Sequence, residues 1–311
     1  MKLNYLKVSA LVLTTLMVLA TSCSKDDVDN EAAQEVSSLP RDVLNKVREL
    51  DLNPEAFEVK HAVYPDGTKI PVVLTDDIAM EKSRFLKIPS DNNGLAKQYQ
   101  TEFLIDTDVH EEVNIIVYTG PTIFDGDTPI VTGLSEAAQQ GVRDAVENWN
   151  SVWGSRLVLR AEFTTATTFD PDFFETFIVV NSSLEGFGGF ADFPDENGNP
   201  GNFVQISPNS STFADRVPDA IEHLITHELG HAIGFRHTDW NSRQSCVDLG
   251  LEPEPSVEEN PPARIFGTLP SIPGIIEQED SIMNACFNAD TTTGELNFFD
   301  ENGLRSLYRG F

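Results

Sequence analysis

Basic residues are scarce in this chain: 21 Lys and Arg stand against 50 Asp and Glu, a formal net charge of −29. Such a surface repels phosphates, which argues against nucleic acid or an anionic membrane surface as a partner. Long apolar runs are equally scarce. The one that matters, Val8 to Ala20, lies at the N-terminus and is too short for a comfortable membrane span. There are only three cysteines, and none falls between Cys23 and Cys246, so the first part of the chain has no thiolate to offer a metal. No internal repeat is apparent. What is present is ordinary for a globular protein: 311 residues, 40% of them hydrophobic, enough for one fair-sized domain and something smaller.

The N-terminus reads as an export signal over residues 1–22: Lys2 and Lys7 precede the apolar stretch, and Thr21-Ser22-Cys23 ends it with small residues. This resembles a bacterial lipoprotein signal, with Ala at position 20 where Leu is usual. The resemblance implies lipidation of Cys23, and Ser24-Lys25-Asp26-Asp27 resembles the acidic tag of lipoproteins displayed on the outer membrane. A membrane would then be met only through the lipid. With Cys23 so used, Cys246 and Cys286 remain as a pair in an oxidising compartment, for which a disulfide is expected and two buried free thiols are the alternative.

Residues 23–38 are rich in Asp, Glu, Ser and Ala and read as an acidic tether. Residues 39–95 read as a small N-terminal module. It has an amphipathic helix with Val43, Val47 and Leu50 on one side, short extended pieces around Pro65-Asp66-Gly67, and linker composition at 90–94. The main domain, 96–311, opens with the β-rich run VNIIVYTG (113–120) and a helix over 134–153 with Ala138, Val142, Ala145 and Trp149 at helical spacing. Strand candidates follow at 156–163 and 176–182, then a second helix from about Pro218 to Ile233. Residues 238–280 read as a long loop region, and the chain closes on a helix with Leu304 and Leu307 as core positions.

The second helix carries HELGHAIGFRH, residues 227–237. His227 and His231 are four apart and share one helix face, the spacing of two ligands to one metal ion. Gly234 stands where a left-handed cap would end the helix and return His237 to the first two histidines. Three neutral imidazoles leave a zinc ion with an open position, where bound water is acidified to a pKa of about 7. Glu228, beside the first ligand, is placed to take the water's proton and pass it to a leaving amine. The pattern H-E-x-x-H-x-x-G-x-x-H is complete in every fixed position, and SIM supplies Met283, 46 residues after His237.

These residues resemble the metzincin clan of zinc endopeptidases, and THELGHAIGFRHTDW with SIM looks most like the dual-action HEIGH metallopeptidases, over roughly 100–311. The resemblance implies an α/β (α+β) zincin fold with a small twisted sheet, an active-site helix, a backing helix and an irregular C-terminal half. It implies one catalytic zinc, Met283 as floor beneath the imidazoles, and Gly188, Gly189, Phe190, Ala191, Asp192 and Phe193 as an edge strand that pairs with extended substrate. Some clan members carry a tyrosine two residues after the methionine; here that position is Ala285, so no tyrosine switch is expected.

Asp239 is a candidate for holding a ligand histidine or anchoring the turn. Asp192, Asp195, Asn197 and Asn199 put oxygens at the spacing of a calcium loop, but the EF-hand order is missing and a solvated turn reads equally well. Asp76 and Asp77 either present a carboxylate to zinc's open position or, the preferred reading, N-cap a short helix. The expected protein is therefore a monomeric, exported zinc endopeptidase acting on extracellular protein or peptide. The rival is a surface binding or adhesion lipoprotein with a structural or vestigial zinc site.

Overall fold

The computed structural model describes residues 39–50, 52–88, 103–110, 112–168, 176–239, 243–251 and 280–310. The export signal, Cys23, the acidic tether, the 90–94 linker and most of the loop between 240 and 280 lie outside the described residues. Among the described residues no helix is long and apolar enough to cross a membrane.

In chain order the elements are α1 (Arg41–Glu49), β1 (Glu58–Val63), β2 (Lys69–Thr75), β3 (Ile78–Glu81) and α2 (Lys82–Phe85), then β4 (Val113–Tyr118), β5 (Ile123–Asp125), β6 (Thr128–Thr132) and α3 (Glu136–Asn150). Next come β7 (Leu159–Thr164), β8 (Thr176–Asn181), β9 (Gly189–Asp192), β10 (Phe203–Ile206), α4 (Pro208–Phe213), α5 (Pro218–Ala232), α6 (Gln244–Asp248) and α7 (Phe298–Leu307). The fold is mixed α/β. Eight strands form one path, β1-β2-β3-β9-β10-β8-β4-β7, with β6 paired to β8 and β5 to β6. From β10 through β8 and β4 to β7 the neighbours are parallel, and β9 runs antiparallel to β10.

The runs that form β8 and β10 are buried on both faces, and β4 nearly so, as strands inside a parallel sheet must be; β7, at its edge, is half exposed. One face is covered by α3 and α5. Ser135 caps α3 by accepting from Ala138 N–H, and Ala138, Val142, Ala145 and Trp149 form its fully buried stripe. Trp149 Nε1 donates to the Thr226 carbonyl at 3.0 Å, which pins α5 against α3. The other face receives the N-terminal strands: Ala62, Val72, Leu74 and Ala79 pack with Phe190 and Phe203. The Gln205 side chain, fully buried, accepts from Val63 N–H at 2.9 Å and donates to its carbonyl at 3.1 Å. The first three strands thus continue the sheet of the main domain, and their removal would strand buried polar groups.

Past α5 the described residues form helices α6 and α7 and connecting turns. Cys246 and Cys286 are joined in a disulfide. Asp300, buried, closes the capping box of α7 with Asn297 and also accepts from Ser281 Oγ at 2.6 Å and Ile282 N–H at 3.0 Å, so helix α7 and the Met283 turn share one carboxylate.

Candidate metal centre

Helix α5 is buried along nearly its whole length and has Pro218 at its first position. It ends in a Schellman motif: Phe235 N–H donates to the Gly230 carbonyl, Gly234 N–H donates to that of His231, and Gly234 takes φ 103°. That reversal returns the chain, and His237 Nε2 comes to 3.2 Å from His227 Nε2. His231 Nε2 lies 3.1 Å from the same atom.

Proton positions follow from the partners. His227 Nδ1 faces the Ile282 carbonyl at 2.7 Å and His231 Nδ1 the Phe235 carbonyl at 2.9 Å. A carbonyl only accepts, so both Nδ1 atoms carry the proton and both Nε2 atoms are bare lone pairs. Two lone pairs at 3.1 Å repel unless a cation sits between them. His237 Nδ1 lies between Asp76 Oδ2, at 3.0 Å, and Arg243 Nη1, one an acceptor and the other a donor, so its partners do not fix its tautomer. The arrangement therefore fits a metal ion.

A fourth acceptor joins them. Asp77 and the three histidines place one ligand atom each within 4.8 Å of one another, the group of described residues gathered tightly enough to hold an ion. Asp77 Oδ2 is 3.1 Å from His227 Nε2, and its Oδ1 is 3.1 Å from His237 Nε2 and 3.3 Å from His231 Nε2. Burial pushes the Asp77 carboxyl up, but the charges of His237 and His231 and the bond to His227 more than reverse this and hold it well below the usual range. His237 is pulled down by burial and pushed up further by Asp77 and Asp76, to about 9.

Asp76 and Asp77 do not cap a helix. They form the two-residue turn of the β2–β3 hairpin, fixed by the pairs Thr75↔Ile78 and Leu74↔Ala79, and Asp76 takes φ 60°. Helix α2 begins later, after Glu81, without a side-chain cap. The stretch Gly188, Gly189, Phe190, Ala191, Asp192 and Phe193 is not the open edge expected, because its second half is already paired. On its outer side β3 pairs with β9 through Ile78↔Ala191 and Ala79↔Asp192, and Ala191 N–H donates to the Asp77 carbonyl at 3.0 Å. An unpaired strand edge leaves its N–H and C=O groups unsatisfied, and the N-terminal hairpin pairs with this one at Ala191 and Asp192.

Glu228 is fully buried, and its Oε2 has no hydrogen-bond partner. Burial, then the charges of Asp77 and Asp76, pushes its carboxyl well above the usual range. A Cβ on Gly189 would stand 3.0 Å from Glu228 Oε1, so the glycine keeps the carboxylate clear against the strand. Met283 is fully buried under α5, where a Cβ on Gly230 would meet its sulfur. Asp239 anchors the turn rather than a histidine: its Oδ1 accepts from Ala285 N–H at 3.0 Å and its Oδ2 from Ser245 Oγ at 2.6 Å.

Asp192 has partners of its own: it accepts from Phe193 N–H and the Asn202 side chain and pairs with Arg84 at 3.3 Å. Asp195 is satisfied by the N–H groups of Asn197 and Asn199. Sequence reasoning passed over Arg243, buried beside His237 and Asp76, and Asp300.

The family described as dual-action HEIGH metallo-peptidase matches residues 72–308. No curated protein matches. Among solved structures the chain is similar to two of myroilysin. One has 11% identity and a TM-score of 0.32, over 64% of this chain and 80% of that one. The other has 13% identity and a TM-score of 0.35, over 64% of this chain and 83% of that one.

Proposed function

The chain belongs to the dual-action HEIGH metallopeptidases, and from that premise we propose that it is a zinc endopeptidase in which His227, His231 and His237 hold the ion and Glu228 moves the protons of peptide hydrolysis. The observation that carries this reading is the convergence of three Nε2 atoms beside a buried carboxylate with a free oxygen. Three imidazoles with one carboxylate are a donor set for zinc. When bound, zinc supplies Lewis-acid chemistry: it polarises the scissile carbonyl and lowers the pKa of water.

The rest is done by the chain. Glu228 accepts the proton of the attacking water and returns it to the departing amine. Strand β9 offers main-chain N–H and C=O groups to an extended peptide once β3 withdraws from it. Met283 backs the imidazoles, and the carbonyls of Ile282 and Phe235 fix their orientation. With Asp77 among the imidazoles the site is latent, and residues 39–95 act as an inhibitory pro-segment. On the sequence alone we propose export, a lipid anchor at Cys23, a monomer, and extracellular protein or peptide as substrate.

A second reading has one observation in its favour. Four protein ligands close a metal site in the manner of a structural centre, as a binding or adhesion protein would require. That reading gives Glu228 no task. Metal content and casein hydrolysis, measured on the parent, Glu228→Gln and Asp77→Ala, separate the two. Hydrolysis lost by about 10²–10⁴-fold in Glu228→Gln, with one zinc per chain retained, is the expected result. Zinc in all three proteins and hydrolysis in none would leave the structural reading standing.

A further inference from the structure

Asp76 and Arg243 are the two non-glycine residues with positive φ among the described residues, at 60° and 48°. They lie 167 positions apart in sequence, yet they meet: Arg243 Nη1 contacts Asp76 Oδ2 at 2.5 Å. Left-handed backbone is disfavoured for side chains of this kind, and its persistence marks places where geometry serves a function. Arg243 sits at the N-cap of α6, where its left-handed turn sends a buried guanidinium to the metal centre, against His237 Nδ1.

Its carboxylate partner comes from the part that must leave. Asp76 is next to Asp77 in the hairpin turn, so freeing the metal from Asp77 also takes Asp76 from Arg243. The carboxylate on the loop side, Asp239, is already engaged by Ser245 and the Ala285 N–H. Arg243 Nε has no partner even with the hairpin in place. Among the described residues, an open cleft would then leave this buried cation without a carboxylate bonded to it, in a chain whose net charge is −29.

We propose that Arg243 is a specificity-determining residue: it binds a carboxylate of the substrate beside the scissile bond, in the place where Asp76 sits in the latent state. The hairpin tip imitates that pattern, one acid at the metal and its neighbour at the guanidinium. This rests on the peptidase reading for its meaning, but the anion site is tested by binding.

The test uses the full chain carrying Asp76→Ala and Asp77→Ala, loaded with zinc, and fluorescein-labelled hexapeptides with amidated C-termini that differ by Asp or Asn at one central position. Anisotropy is expected to show the Asp peptide binding at least about tenfold tighter. The same preference should collapse in Arg243→Gln and persist in part in Arg243→Lys, which keeps the charge without the planar fork. A third peptide, Asn-containing with a free C-terminus, separates the two sources of a carboxylate: tight binding there assigns Arg243 to a chain end, and tight binding of the amidated Asp peptide to a side chain. Equal binding of the two amidated peptides with no gain from a free C-terminus, or no binding of any peptide, overturns the proposal. Because the Asp-against-Asn comparison is made with Arg243 intact, misfolding of an Arg243 variant leaves the test standing. Binding that follows Arg243 without cleavage of any peptide would instead refute the peptidase reading and leave the anion site in place.

Discussion

Helix α5 and the β2–β3 hairpin deliver acceptor atoms to one point by unlike means. The helix supplies His227 and His231 from one face, and its Schellman cap returns His237; all three are buried, and two have their outer nitrogens tied to main-chain carbonyls. None of these ligands can withdraw without unmaking the helix end or the Met283 turn beneath it. The hairpin supplies Asp77 from a two-residue tip. Its base is firmly held by Gln205 and by Phe190 and Phe203, but its tip pairs with β9 over two residues and is otherwise fastened by side-chain contacts, those of Asp77 with the three histidines and of Asp76 with Arg243. On the reading proposed above, one region keeps the metal and the other occupies it reversibly.

Removing a ligand from each region is the strongest test of that contrast. His231→Ala should lower zinc affinity by at least roughly a hundredfold and abolish hydrolysis, as read by metal content after dialysis and by casein cleavage. Asp77→Ala should keep one zinc per chain and raise hydrolysis by about tenfold, if the tip blocks more than nine chains in ten. Zinc loss of equal size in both variants would break the comparison and make Asp77 a permanent ligand.

A gentler test compares the glycines that turn the chain in each region. Gly234 has φ 103° at the end of α5, and Gly67 has φ 89° in the β1–β2 turn with open space around it. Alanine at either position should cost about 1–3 kcal/mol in urea denaturation from backbone strain, to which Gly234 adds a tight 3.1 Å contact with Leu104. Gly234→Ala should in addition weaken zinc binding, because the strain falls on the turn that carries His237. Gly67→Ala should leave zinc binding unchanged.

The same contrast decides what could be read from the sequence. The histidine motif, the stripe of α3 and the strand runs at 113–118 and 176–181 were legible because each is a local pattern whose period shows its partner face. Asp77 was legible only as the less favoured of two readings, a carboxylate for the metal against a helix cap, since its role depends on a pairing with β9 more than a hundred residues away. A signal was nonetheless present: apolar residues flank Asp76-Asp77 on both sides, VVLT before and IAM after, which is the pattern of a two-residue hairpin. The expectation that Gly188 to Phe193 form a free edge failed for the same reason, because no local feature of a strand shows that a distant segment covers it. Arg243 had no signal at all; a buried arginine at a helix start reads like any surface charge.

Asp192 and Arg84 join β9 to the helix that follows the hairpin, and their electrostatics sharpen the comparison at the smallest scale. Asp192 on β9 is fully buried and pairs with Arg84 of α2. Burial raises its carboxyl from 3.8 to about 6, and Arg84 and the N–H groups of Asn202 and Phe193 offset only part of that. A folded-state pKa above the unfolded value means that the folded chain binds the extra proton between about 4 and 6. Stability should therefore decline as pH rises across that window, by about 3 kcal/mol from this one group. Asp192→Asn should remove that slope from urea denaturation measured at intervals from pH 4 to 7, leaving the slopes of other groups unchanged. If parent and variant show the same slope, the pair with Arg84 compensates Asp192 fully, and the N-terminal module is clamped to β9 more tightly than the hairpin tip requires.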